Sequence, residues 1–192
     1  MSEVTFAGKL LVANPRLGDP NFERTVVLLL AHGEEGAVGV VLNRPSDLPV
    51  AARLPGWAEL ATPPAVFHSG GPVGPSSAIC LARVTDPAAL GGDPGGEAGW
   101  SPLWSGLGTV DLDTDPDRLA PALGALRIFT GYAGWGPGQL EGEIRAGGWW
   151  LLGARGEDPF SPDPEGLWKK ILRRQSGELA LVAAYPGDPA DN

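Results

Sequence analysis

The segment Thr25-Val26-Val27-Leu28-Leu29-Leu30-Ala31 is almost wholly apolar and shows no alternation, so a strand built from it must be covered on both faces. His32-Gly33-Glu34-Glu35-Gly36 then reads as a hairpin turn, and residues 37–42 return as a second apolar strand. Further short β segments are expected at residues 10–13, 65–67, 78–84, 108–112, 127–130, 149–152 and 179–184. Strands outnumber helices, and 192 residues suffice to bury roughly 70% of the unfolded surface without a metal or disulfide staple. Residues 1–192 are expected to form one compact domain.

One helix is well specified. Around residues 165–175, Leu167, Trp168, Ile171 and Leu172 share one arc of a helical projection, and Lys169, Lys170, Arg173 and Arg174 share the opposite one. Asp163 is placed to cap it, Pro164 suits a first position and Gly177 can end it. Asp115 offers a second capped start, which Pro121 must limit. Residues 50–54 and 57–61 predict shorter helical pieces, and residues 86–102, rich in Gly, Pro and Asp, predict a mobile surface loop.

Charge restricts the partners. Fourteen Lys and Arg against 23 Asp and Glu give a net charge of -9, which repels phosphate backbones except where a basic patch reverses the field. The tryptophan helix carries the one such patch, and its bases already complement the C-terminal end of the helix dipole. Duplex DNA is therefore not an expected partner. The chain opens without a basic and apolar leader and holds no run of membrane-span length, so a cytoplasmic location and no membrane association are expected.

Familiar catalytic patterns fail in turn. Gly134-Trp135-Gly136-Pro137-Gly138 lacks the spacing of a dinucleotide fingerprint and has no Lys-Ser/Thr after it. Asp111, Asp113 and Asp115 have calcium-loop spacing, but Pro116 stands where the loop needs glycine and Ala122 where it needs a bidentate Glu. His32 and His68 are the only histidines, too few for a histidine-rich metal site, and neither a metal nor an organic cofactor is expected. Ser69-Gly70-Gly71 makes no nucleophile elbow. His68, on a predicted strand, is expected to point to solvent, and Cys80 to be a small buried hydrophobe. Asp19, Glu23, Glu141 and Glu143 are the candidates for a carboxylate pair, against a plain reading as turn and helix-start residues.

The run from Phe129 to Ile144 is the least economical for packing, with Gly131, Gly134, Gly136 and Gly138 interleaved with Tyr132 and Trp135. Glycine loses the most freedom on folding, so this density calls for positive φ angles or close backbone approach. Two compatible readings follow: a tight strand exit with Tyr132 and Trp135 plugging a barrel end, or a recognition loop with Trp135 partly accessible and Gln139 or Glu141 making polar contacts.

Together with residues 8–15 (GKLLVANP), 19–27 (DPNFERTVV), 36–45 (GAVGVVLNRP) and 70–73 (GGPV), this run resembles the bacterial YqgE/AlgH family. The resemblance spans nearly the whole chain. It implies an α+β domain whose mostly antiparallel sheet, split or strongly curved, closes into a pseudo-barrel flanked by helices, and it implies no established reaction. Where the family often has Arg-Gly after Gly-Gly-Pro-Val, this chain has Gly74-Pro75-Ser76-Ser77, so no role for that arginine carries over. The expected binding surface comprises Asn14, Pro15, Gly70, Gly71, Pro72, Gly131, Tyr132, Gly134, Trp135, Gly136, Gln139 and Glu141. The expected activity is non-enzymatic binding or regulation, with a protein, peptide or small molecule as partner. DNA-mediated regulation, from a label some family members carry, and carboxylate-based catalysis are the alternatives.

Overall fold

The longest strand, β9 (Leu123–Trp135), is where two halves of a sheet meet. Its last residues pair antiparallel with β3 (Gly36–Val41), which continues through β2 (Val26–Gly33) and β1 (Lys9–Ala13) to β10 (Trp149–Gly153). Its earlier residues pair antiparallel with β6 (Val73–Val84), leading to β8 (Leu107–Val110) and β7 (Trp100–Trp104). β5 (Val66–Ser69) lies parallel to β9 and carries β4 (Pro45–Pro49). This computed structural model describes residues 5–90 and 99–184, and they form an α+β domain with a curled, mostly antiparallel half-barrel.

β2 sits in the middle of its half, as its unalternating sequence requires. Val26 and Leu28 enter a core shared with β1, β3 and α3 (Leu167–Arg173). Val27 and Leu29 enter a second core closed by Trp135, Trp149 and Leu140 of α2 (Gln139–Arg145). A third core lies under the other half-sheet, between Leu126, Ile128, Cys80, Ala82, Trp57 and Trp100. The helix α3 buries the predicted arc of Leu167, Trp168, Ile171 and Leu172, and the Trp168 indole donates to the Ala13 carbonyl at 2.9 Å.

Several boundaries differ from expectation, each for a physical reason. The glycine run does not leave the sheet at Thr130; residues 131–135 continue β9 because Ala133, Gly134 and Trp135 pair with β3 and Tyr132 pairs with Val73. Residues 179–184 are not a strand. They belong to α4 (Glu178–Val182) and its end, where spacing by three puts Leu179 and Val182 together against the first core. Asp163 bonds the Gly166 amide at 3.0 Å, so α3 begins at Leu167 rather than at Pro164. Asp115 caps α1 (Pro116–Leu119) through the Asp117 amide at 3.0 Å, and the chain then tightens to a 3-10 turn at Ala120–Ala122. Within the expected loop, Pro87–Leu90 forms a 3-10 turn and Trp100 starts β7, while residues 91–98 lie outside the described residues.

The joint between the halves is made of glycine. Gly131 bends β9 at φ 71°, and a Cβ there would stand 2.5 Å from the Gly71 carbonyl oxygen. A Cβ on Gly70 would overlap the Gly131 carbonyl, and one on Gly71 the Tyr132 backbone. Gly71→Ala is thus expected to cost more than about 2 kcal/mol, because the obstacle is backbone and cannot turn aside. Gly142→Ala, in α2 with open space around its Cβ, should instead stabilise by up to about 1 kcal/mol. Urea unfolding midpoints of the two variants measure both effects.

Candidate functional site

The glycine run packs against the chain itself. Gly131 and Gly70 are buried and serve the joint, and Tyr132 is half-buried beside Gly74. Trp135, expected to be partly accessible, is only 6% exposed, which corrects that reading. Its indole N–H donates to Glu143 Oε2 at 3.0 Å, and Trp149 donates to the same oxygen at 2.8 Å. Phe22 stacks on Trp135 at 6.1 Å and meets Trp149 edge-on at 5.4 Å. Trp135 is the plug of the two readings. Gln139 is exposed, yet it accepts from the Gly136 amide at 3.0 Å and donates to Glu143 at 2.9 Å. Glu141 accepts from His32 Nε2 at 2.8 Å; its own backbone N–H first, and then His32, holds its carboxyl below the usual range. Gly134 and Gly136 remain exposed.

Open depressions gather around the Asn14–Arg24 segment. Asn14 and Pro15 line two adjoining depressions, one of about 400 Å³ with Arg16, Trp150 and Val182, the other of about 270 Å³ running to Glu23. Glu23 also lines a cleft of about 310 Å³ with Arg24, Asn43, Arg44, Trp168 and Lys169. Arg44 in turn lines a smaller hollow with Asn21, Ser69, Gly71 and Pro72. Shared residues therefore join four depressions into one rim. Of the expected site, Asn14, Pro15, Gly71 and Pro72 lie on it, and the residues from Gly131 onward do not.

Local chemistry fixes the rim. Asn14 Oδ1 accepts from the Arg16 amide at 3.0 Å and Asp19 Oδ1 from the Asn21 amide at 2.9 Å, two side-chain turns that hold the loop. Arg24 has φ 51°, unusual for a residue with a side chain. Asn43 stabilises that geometry by donating to the Arg24 carbonyl and accepting from the Val26 amide, both at 2.8 Å. The Arg24 guanidinium lies 5.3 Å from the centre of the Trp168 ring. Sequence reading quoted Arg24, Asn43 and Arg44 within motifs but gave them no role; the Asn43-Arg44 pair directly after an apolar strand was the available signal.

Several groups with catalytic potential are buried inside the fold. His68 does not point to solvent; it is fully buried, its ring 5.8 Å from Phe129, and Nδ1 bonds the Val66 carbonyl at 3.1 Å. Burial, with the Arg127 charge adding to it, pushes the His68 pKa down to about 4, so the ring is neutral. Arg127 donates to the carbonyls of Thr62, Pro63, Pro159 and Ser161 at 2.8–3.4 Å, and desolvation lowers its pKa to about 10. Burial raises the Cys80 thiol well above its ordinary value, which suppresses the thiolate. Among the described residues, no three His, Cys, Asp or Glu side chains group to hold a metal. On α3, Lys169, Lys170 and Arg173 are exposed, but Arg174 is committed to Asp158 through two contacts of 2.7 Å.

The curled, mostly antiparallel half-barrel with its few helices makes this a small α+β domain. The DUF179 family model, described as AlgH-like, matches residues 10–180, and the chain belongs to this family. A UPF0301 protein of Streptomyces avermitilis is 52% identical over 193 residues, spanning 100% of this chain and 98% of that one. A UPF0301 protein of Mycobacterium ulcerans is 45% identical, over 97% of this chain and 90% of that one. Among solved structures, protein DIP2367 of Corynebacterium diphtheriae superposes with a TM-score of 0.85 at 31% identity, covering 96% of this chain and 94% of that one. The solution structure of the AlgH protein of Pseudomonas aeruginosa gives 0.68 at 30% identity, covering 98% of each.

Trp135→Ala is expected to destabilise by about 3–5 kcal/mol, the usual cost of emptying a buried aromatic site, in equilibrium urea unfolding. His68 makes a separate prediction about pH. Its folded pKa lies below the ordinary 6.5, so the unfolded chain binds the extra proton between about 4 and 6.5. Its contribution is full above that window and falls as pH drops through it, by on the order of 3 kcal/mol. Unfolding curves of wild type and His68→Gln should therefore diverge in slope against pH there, with the wild type losing more on acidification.

Proposed function

We propose that this protein is a non-enzymatic binding or regulatory protein of the bacterial cytoplasm, and that the rim running from Asn14 to Pro72 is its binding surface. The carrying observation is the continuity of the rim: depressions joined through Asn14, Glu23 and Arg44, built by turns on a rigid curved sheet. Carboxylate catalysis is less well supported: Glu141 is held by His32, Glu143 by two indoles and Asp19 by the Asn21 amide, Glu23 and Glu165 stand exposed on a rim whose lining includes no histidine, and the neutral buried His68 offers no accessible base. DNA contact is disfavoured by the net charge of -9 and by the engagement of Arg174 with Asp158. No helix among the described residues is long and apolar enough to cross a membrane.

The test is affinity capture from native cytosol with wild type, an Asn21→Ala/Arg44→Ala variant, and an Arg145→Ala control on α2. The rim variant should lose its partner by about tenfold or more, a change of roughly 1.4 kcal/mol, at unchanged melting temperature, while the control captures normally. Equal capture by all three proteins would remove the rim from the reading. Sequence-selective retardation of duplex DNA at sub-micromolar protein and about 150 mM salt would establish DNA regulation instead.

A further inference from the structure

Three cations from separate parts of the chain converge on the cleft beside Trp168. Arg24 comes from the turn before β2, Arg44 from the end of the segment after β3, and Lys169 from α3. Among the described residues, none of the three forms an ion pair with a carboxylate; the two such pairs are His32–Glu141 and Asp158–Arg174. Glu23 and Glu165 also line the cleft, but both are exposed and remain screened by water, whereas both arginines are half-buried. Two half-buried guanidiniums lining one cleft attract an incoming anion, and the exposed Lys169 adds a third positive charge at its edge.

The arginines are also held in place. Arg24 is fixed at its backbone by Asn43 and at its guanidinium by the Trp168 ring. A strained φ kept by a dedicated hydrogen bond is a common mark of a pre-set ligand contact. Arg44 is tied only by long contacts from Nη2, 3.4 Å to the Pro20 carbonyl and 3.3 Å to that of Glu23. Among the described residues, its other N–H donors have no protein partner, and they form the planar fork that matches phosphate oxygens. The cleft volume of about 310 Å³ exceeds what a bare oxyanion fills, leaving room for the group that carries it.

We propose that this cleft binds a phosphate group carried on a small molecule, with Arg24 and Arg44 as its principal contacts and Lys169 as a third charge. The proposal rests on the rim being the binding surface and names a ligand chemistry for one part of it.

The probe is inorganic phosphate, titrated into the full-length protein at constant ionic strength held with sodium chloride and followed by 1H–15N NMR. Saturable shifts should centre on Arg24, Asn43, Arg44 and Lys169, and acetate, with a single charge, should bind more weakly than phosphate. Arg44→Gln should weaken phosphate binding by about tenfold or more, the scale of a lost charge-assisted hydrogen bond, and Lys169→Gln by less. Arg173→Gln, on the same helix but outside the cleft, should bind as wild type does. Arg44→Lys keeps the charge without the fork and should fall between wild type and Arg44→Gln; should Arg44→Gln fail to fold, Arg44→Lys and Lys169→Gln decide. Linear shifts without saturation, or shifts spread equally over Lys170 and Arg173, mean an adventitious ion only and overturn the proposal. Rim-dependent partner capture alongside absent phosphate binding sinks this inference and leaves the binding surface standing.

Discussion

The structure depends on the contact of two backbones at Gly70-Gly71 and Gly131-Tyr132. There β9 turns from one half-sheet into the other while the strand entering β6 passes against it, closely enough that no Cβ fits between them. The bend at Gly131 lets one strand serve both halves: Ala133, Gly134 and Trp135 pair with β3, while Tyr132 and the residues before Gly131 pair with β6. A side chain at the crossing would push the halves apart, and with them the three cores that the curvature encloses. The same crossing brings Gly71 and Pro72 up beside Arg44, so the geometry of the joint sets one end of the rim.

Buried polar groups act as ties between parts that strand pairing does not connect. Arg127, on β9, reaches the carbonyls of Thr62 and Pro63 on one side and of Pro159 and Ser161 on the other, joining two loops to the sheet. Hydrogen bonds to a charged donor are the stronger kind, and carbonyls replace water at both terminal nitrogens of Arg127, while its buried Nε has no partner among the described residues. Glu143 does similar service in the second core, where one carboxylate oxygen receives both tryptophan N–H groups. The Asp19–Arg24 turn depends on both cores at once, through Phe22 against the tryptophan pair and Arg24 against Trp168.

Much of the fold was legible in the sequence because periodicity records local environment. The unalternating run of β2 announced two covered faces, and the arc of α3 announced its buried side. A five-residue helix such as α4 is too short for periodicity to separate from a strand, which is why residues 179–184 read wrongly. His68 defeated the alternation argument for another reason: β5 lies inside the curl, so Phe67 and His68 on opposite faces are both buried. The glycine density correctly signalled a close approach. Its partner was Gly71, sixty positions earlier, and nothing local in a sequence distinguishes the chain's own backbone from a ligand. The cations of the rim were hidden likewise, since Arg24, Arg44 and Lys169 meet only after β2, β3 and α3 have packed.

A sheet that curls without closing keeps border strands, here β10 and β7 at the ends of the main path and β4 on the branch through β5. Each border strand offers unpaired amides and carbonyls to any other chain, the starting point of aggregation. Pro102 in the middle of β7 removes one of those amides. At the far border, Arg174 donates to the carbonyl of Gly153, the last residue of β10, at 3.0 Å. β10 and β7 are short, five residues each, and each is blunted by a different device, while β4, also five residues, begins and ends in proline, so the open barrel is a poor template for strand addition at high concentration.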